Sequence, residues 1–280
     1  MTTWLITGAS SGLGAALARA VLARGDNAVV TARSTEHLQD LVDAHPDTVL
    51  AVPLEVADHD QVVAAVDAAT TRFGAVDVLV NNAGHGYRAA VEEAAVDEVD
   101  ELFVTNFFGP VDLIKQVLPQ MRARRAGTII NVSSIGAPRS NPASGYYTAT
   151  KTALEGMSDA LNREVAPLGI RVLVLEPGAF RTDFSGRSLM QSRTVIDDYA
   201  ETAGKRRKEN DTTHGTQQGD PHRAADVIID TVHAVDAPFR LLLGSDAVTI
   251  VREELQGRID EIDAWAPVSR TTDFTAEDES

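Results

Sequence analysis

Seven short apolar runs rich in β-branched residues recur along the chain: "WLITG", "NAVVTAR", "TVLAVPLEV", "VDVLVNNAG", "GTIINVSS", "IRVLVLEPG" and "FRLLLG". Helix-patterned stretches separate them, such as "LGAALARAVLARG", which stops at Gly25, and "DHDQVVAAVDAATTRFG", which opens on acids and stops at Gly74. Strands that alternate with helices form βαβ crossovers, and successive crossovers build a parallel sheet. The runs are apolar throughout rather than on alternate residues, which requires cover on both faces. The pattern therefore predicts α/β architecture: one doubly wound Rossmann-type domain, with a seven-stranded parallel sheet and helices on both faces.

A chain of 280 residues is long enough to bury one large core of this kind. The expected division is one doubly wound domain over residues 1–265 and a polar, acidic tail over 266–280. After Gly178 the strand-helix rhythm breaks. Residues 179–219 separate the sixth and seventh runs by far more than an ordinary connection, and such an insert is expected to act as a substrate lid. Asp220 and Pro221 then restart a helix.

The formal net charge of -16 repels a phosphate backbone, so nucleic acid is not expected as a partner. The run "KRRK" at Lys205–Lys208 is the local exception, read as a solvated helix face, with phosphate binding as the alternative. Cysteine is absent, which removes thiolate nucleophiles and cysteine-based zinc sites. The seven histidines show no metal-ligand spacing, so no metal is expected. The opening "MTTWLITGASSGLG" carries no basic leader, and no apolar run approaches the ~20 residues of a membrane span. A cytoplasmic protein without a membrane partner is expected.

The first run ends in "TGASSGLG", which leads into a helix. Glycine serves where the backbone needs positive φ or where a bulky group must approach it closely, and the free amides of the helix start suit a pyrophosphate. The turn residues Gly8, Ser10, Ser11, Gly12, Leu13 and Gly14 thus predict a dinucleotide site. Their spacing is G-x-x-x-G-x-G rather than the commoner G-x-G-x-x-G.

With this turn the chain resembles the short-chain dehydrogenase/reductase family. The resemblance also rests on "NNAG" at Asn81–Gly84, on Ser134, Tyr147 and Lys151 as a Ser...Tyr-x-x-x-Lys set, and on "PGAFRT" at Pro177–Thr182. It implies cofactor contacts at Asn82, Ala83, Gly84, Pro177, Gly178, Thr182, Tyr147 and Lys151. Glu55 and Val56 stand where the family often has Asp-Val for the adenine. The stretch "EPGAFRTDF" is similar to the retinol- and hydroxysteroid-dehydrogenase-like branch. A homodimer or homotetramer is the assembly that the resemblance implies.

Arg33, at the end of "VVTARS", lies where an NAD-binding domain would hold an acid against the ribose 2'-hydroxyl. A guanidinium there can fork onto a 2'-phosphate, so NADP is the expected cofactor; the competing reading is an exposed arginine at a strand end.

"SGYYTATK" holds two adjacent tyrosines. Four residues of helix turn through about 400°, so Lys151 shares a face with Tyr147, whereas Tyr146 points elsewhere, into packing or the pocket wall. A free phenol titrates near ~10, and a neighbouring ammonium favours the phenolate. Tyr147 is thus the expected acid/base and Lys151 its electrostatic partner, which in the family also binds the nicotinamide ribose. Strand periodicity leaves open whether Ser133 or Ser134 faces the site; the family spacing selects Ser134 as the carbonyl polariser. Asn106 matches the family's relay asparagine, its alternative being a polar residue in a bent helix. His85, Phe180, Phe184, Leu189 and Met190 are candidate pocket residues for a bulky, apolar ketone, aldehyde or secondary alcohol. His85 can also be an ordinary loop residue, and the four apolar side chains can cover core. Two competing functions are a silent cofactor-binding regulator and an NAD(P)-dependent epimerase or dehydratase.

Overall fold

The seven apolar runs pair side by side as parallel strands in the computed structural model, which describes residues 1–186, 188–213 and 215–274. They are β1 (Thr3–Ile6), β2 (Asn27–Ala32), β3 (Val49–Pro53), β4 (Val78–Asn81), β6 (Gly127–Val132), β7 (Ile170–Pro177) and β9 (Arg240–Leu243). Their spatial order is β3-β2-β1-β4-β6-β7-β9. The order reverses direction between β1 and β4, and the carboxyl ends of open α/β sheets bind ligands at that kind of switch point.

Helices cover both faces, as the unbroken apolar strands require. On one face α1 (Gly12–Ala23), α2 (Gln39–Ala44) and α8 (Pro221–His233) pack over Trp4, Ile6, Val30 and Leu175. On the other, α3 (His59–Phe73), α5 (Gly109–Arg124) and α6 (Gly145–Val165) pack over Leu5, Val29, Leu79 and Ile129. Helix α4 (Val96–Phe103) runs into α5 through a π turn at Val104–Phe108. Asp58 and Asp220 cap α3 and α8 by accepting from backbone amides in the first turn, so the acid and Asp-Pro start signals have direct counterparts.

Three features differ from expectation. A second, two-stranded parallel sheet pairs β5 (Gly86–Arg88) with β8 (Leu189–Gln191). Three-residue strands are too short to show a periodicity. The helix α7 (Lys205–Thr213) is not a simple solvated face: Lys205 and Lys208 are exposed, but Arg207 is only 8% exposed and pairs with the buried Glu93. Finally, α9 (Ser245–Ser269) continues beyond residue 265, followed by a turn at Arg270–Thr272. The helix ends where the polar run "RTTDF" begins, later than the expected start of the tail; residues 275–280 of that tail lie outside the described residues. Among the described residues no helix is long and apolar enough to cross a membrane.

Candidate active site

The glycine turn closes over the start of "NNAG" with no space left for side chains. A β-carbon on Gly14 would lie 2.6 Å from the Gly8 carbonyl oxygen, and one on Gly8 would lie 2.9 Å from Ala83 Cα. Thr7 Oγ1 accepts from the amides of Asn82 and Ala83, each at 2.9 Å, and Asn82 Nδ2 donates to the Thr7 carbonyl at 2.8 Å. Thr182 reaches across from the other side of the cleft, against Gly12. Asn81 is turned away from this site; it donates to Asn131 and so braces β4 against β6.

These residues line one cleft of about 750 Å³ at the carboxyl ends of the strands. Gly8, Ser10, Ser11, Gly12 and Leu13 form one end; Arg33, Glu55, Val56, Asn82, Ala83 and Gly84 form its walls; Pro177, Gly178 and Thr182 close it. Arg33 is exposed at the rim beside Ser34 and His37.

Tyr147, Lys151 and Ser134 meet inside the same cleft. Ser134 and Tyr147 meet beside Gly136, where Ser134 Oγ accepts from the Gly136 amide at 3.0 Å, whereas Ser133 donates to Glu155 Oε1 at 2.6 Å. Tyr146 lies outside the cluster: its ring meets Tyr87 edge-on at 6.4 Å and its hydroxyl donates to the Val91 carbonyl. Burial pushes the Tyr147 phenol above its ordinary range, and the neighbouring Ser134 and the charge of Arg88 only partly offset this. Lys151 Nζ stands 5.9 Å from the Tyr147 ring centroid and donates to the Val132 carbonyl at 2.8 Å. Burial lowers the ammonium to about 8, with Glu155 pulling it the other way. The phenol is thus held protonated, beside a lysine that can exchange its proton near neutrality.

Asn106 sits in the π turn and is fully buried. Its side chain holds the backbone of His85 from both sides, accepting from the amide at 3.0 Å and donating to the carbonyl at 2.9 Å, and it also reaches Thr150 Oγ1 at 3.3 Å. Burial lowers the pKa of His85, which borders the cleft.

Behind Lys151 lies a group that no sequence pattern singled out. Arg240 Nε lies 3.2 Å from Glu155 and 3.6 Å from Glu176, two carboxylates with one cation between them. Burial and the Glu155 charge raise Glu176 from 4.5 to about 7. The folded state therefore holds a proton that the unfolded chain releases above pH ~4.5, so stability falls as pH rises from ~4.5 through ~7. At about 1.4 kcal/mol for each tenfold change, the loss is on the order of 3 kcal/mol. Glu176→Gln is expected to flatten that stretch of a denaturant-derived stability profile. An unchanged slope in the variant would refute the assignment.

Residues 2–192 match the family described as short chain dehydrogenase. The chain belongs to that family. A short-chain dehydrogenase from Streptomyces avermitilis shares 43% identity and a TM-score of 0.91, covering 98% of this chain and 100% of that one. Oxidoreductase BOA17 of Botryotinia fuckeliana is 40% identical over 246 residues, 88% of this chain and 89% of that protein. An alcohol dehydrogenase from the archaeon Thermococcus sibiricus, solved with 5-hydroxy-NADP, is 26% identical with a TM-score of 0.70, covering 87% of this chain and 96% of that one. The protein is accordingly an oxidoreductase with a nicotinamide-cofactor site.

In this short-chain dehydrogenase residues of the insert line part of the cleft. Phe184 packs against Tyr147 with ring centroids 5.9 Å apart, and Phe180 and Met190 also line the cleft. Leu189 instead covers Gly86 in the small sheet. The insert is tied down through Glu93, which accepts from the amides of Ala90 and Ile196 and from Arg207. Arg193 adds exposed bonds to Asp97 and Glu98. Asp246, at the start of α9, accepts from the Ala179 amide at 2.7 Å and so fixes the chain where the insert begins. These pairs join residues far apart in sequence, and no local spacing signals them.

Proposed function

We propose that the protein is an NADP(H)-dependent oxidoreductase that interconverts a ketone or aldehyde and its alcohol, with Tyr147 as general acid and base. The observation that carries this reading is the meeting of Ser134, Tyr147 and Lys151 in the cleft that also holds the glycine turn.

The cradle fits a dinucleotide: the glycine turn lines the cleft at the start of α1, where backbone amides suit a pyrophosphate, and the Arg33 guanidinium at the rim suits a 2'-phosphate. Gly8, Ser10, Ser11, Gly12, Leu13 and Gly14 would hold the pyrophosphate, Glu55 and Val56 the adenine, and Lys151 and Tyr147 the nicotinamide ribose. Asn82, Ala83, Gly84, Pro177, Gly178 and Thr182 would form the remaining wall. When bound, the nicotinamide supplies or accepts the hydride.

In the reducing direction the Ser134 hydroxyl donates to the carbonyl oxygen and polarises it. Tyr147 gives its proton to that oxygen as negative charge develops there. The phenolate left behind is stabilised by the Lys151 ammonium, and Lys151 returns a proton from solvent. Asn106, by fixing His85 and Thr150, keeps that path in register and supports the relay. Alcohol oxidation uses the same groups in reverse.

The lid expected over residues 179–219 is part of this proposal, with Phe180, Phe184 and Met190 against an apolar substrate body. A homodimer or homotetramer belongs to it too, supported by the exposed Leu255, Ile259, Ile262 and Trp265 on α9. Light scattering that returned the mass of a single chain would contradict the assembly. For the activity, purified protein is offered NADPH with a panel of ketones and aldehydes while cofactor absorbance is followed. Steady oxidation with at least one substrate is expected. Conversion of a substrate without net redox would instead indicate epimerisation or dehydration.

A further inference from the structure

Arg88 has no part in the chemistry described so far, yet its strand turns it to the face on which Phe184 meets Tyr147. In β5 the side chains alternate. Tyr87 enters the cluster with Ala89, Leu102 and Tyr146, whereas a β-carbon on Gly86 would lie 2.6 Å from Leu189 Cδ1 and 3.3 Å from Phe184 Cζ. The two-residue period of a strand puts Arg88 on the Gly86 side, the side on which Phe184 packs against Tyr147.

The guanidinium is poorly compensated there. Its Nε is buried without a hydrogen-bond partner, and one N–H reaches only the adjacent Tyr87 carbonyl, at 3.4 Å. Among the described residues it forms no ion pair with a carboxylate. Its charge favours the Tyr147 phenolate, and burial together with nearby Arg206 holds Arg88 down to about 10. Arg206 likewise has a buried Nε without a partner, while its other end bonds Glu209 at 2.8 Å. The adjacent Arg207 also has a buried Nε without a partner, but its charge is paired with buried Glu93, a counter-ion that Arg88 lacks.

A half-buried cation without a counter-ion is desolvated with no compensating charge, and a site that keeps one near the reacting groups is suited to a counter-ion that arrives with the ligand. We propose that Arg88, backed by Arg206, binds a carboxylate carried by the substrate, so that the enzyme acts on oxo acids and the corresponding hydroxy acids. This rests on the oxidoreductase reading above and narrows it. An apolar body lies against Phe184 and Met190, while the planar fork of Arg88 takes the acid end in paired hydrogen bonds.

The test separates binding from turnover. Tyr147→Phe protein saturated with NADP is titrated calorimetrically with benzoylpropionate, benzoylbutyrate and benzoylvalerate, and with the methyl ester of each. At least one acid is expected to bind about 10- to 100-fold more tightly than its ester, the range of one charge-assisted pair. Adding Arg88→Gln should bring that ratio close to one, and adding Arg88→Lys should restore part of it. Should the Arg88→Gln protein fail to fold, Arg206→Gln serves instead and should lower the ratio several-fold. Acids bound no better than esters throughout the series, or a ratio untouched by these substitutions, would overturn the anion site. If the acids bind selectively but the wild type with NADPH turns over neither acids nor esters, the oxidoreductase reading fails while the anion site stands.

Discussion

Tyr147→Phe is expected to lower kcat for carbonyl reduction between about 10²- and 10⁴-fold, the range that one general acid supplies. Cofactor affinity, measured by fluorescence titration, should fall by no more than about tenfold, the loss of one hydrogen bond to the ribose. The substitution removes one hydroxyl from a buried ring and leaves the packing against Phe184 in place. What it takes away is the proton that the raised phenol holds ready. Lys151 cannot replace it, because its ammonium is anchored on the Val132 carbonyl. A variant with near wild-type kcat would remove Tyr147 from the chemistry.

The second large effect is expected at Arg33. It lies exposed on the cleft rim beside Ser34 and His37. One charge-assisted fork to a 2'-phosphate contributes about 1.5 to 3 kcal/mol, so kcat/KM should favour NADPH over NADH by about 10- to 100-fold. Arg33→Asp places a carboxylate against that phosphate and should reverse the preference, since an acid there suits a free 2'-hydroxyl. Equal use of both cofactors by the wild type would contradict the assignment.

How far the sequence carries the account depends on the range of each interaction. The seven strands were legible because burial on both faces leaves unbroken β-branched runs, and the helix starts because Asp58 and Asp220 cap locally. The separation of Tyr147 from Tyr146 followed from the angle per residue of a helix, and the two side chains do diverge. Strand periodicity could not separate Ser133 from Ser134; the structure turns the first to Glu155 and the second to Tyr147. Interactions between distant residues were invisible. Arg207 with Glu93, Arg240 with Glu155 and Glu176, and the pairing of β5 with β8 each join segments with no local pattern in common. Leu189 reads as a pocket residue because it follows the Pro-Gly turn, but the small sheet turns it onto Gly86. Composition made "KRRK" look like a solvated face, although one of its arginines is buried in an ion pair and its neighbour lies near Arg88.

The most direct test of the central claim traces the transferred hydrogen. Wild-type protein is supplied with NADPH deuterated at the transferable position and with the best carbonyl substrate of the panel, and the product is analysed by mass spectrometry. The account predicts an alcohol with one deuterium on the carbinol carbon, formed by the wild type and lost with Tyr147→Phe. A product without deuterium, or labelled alcohol formed equally fast by Tyr147→Phe, would contradict it.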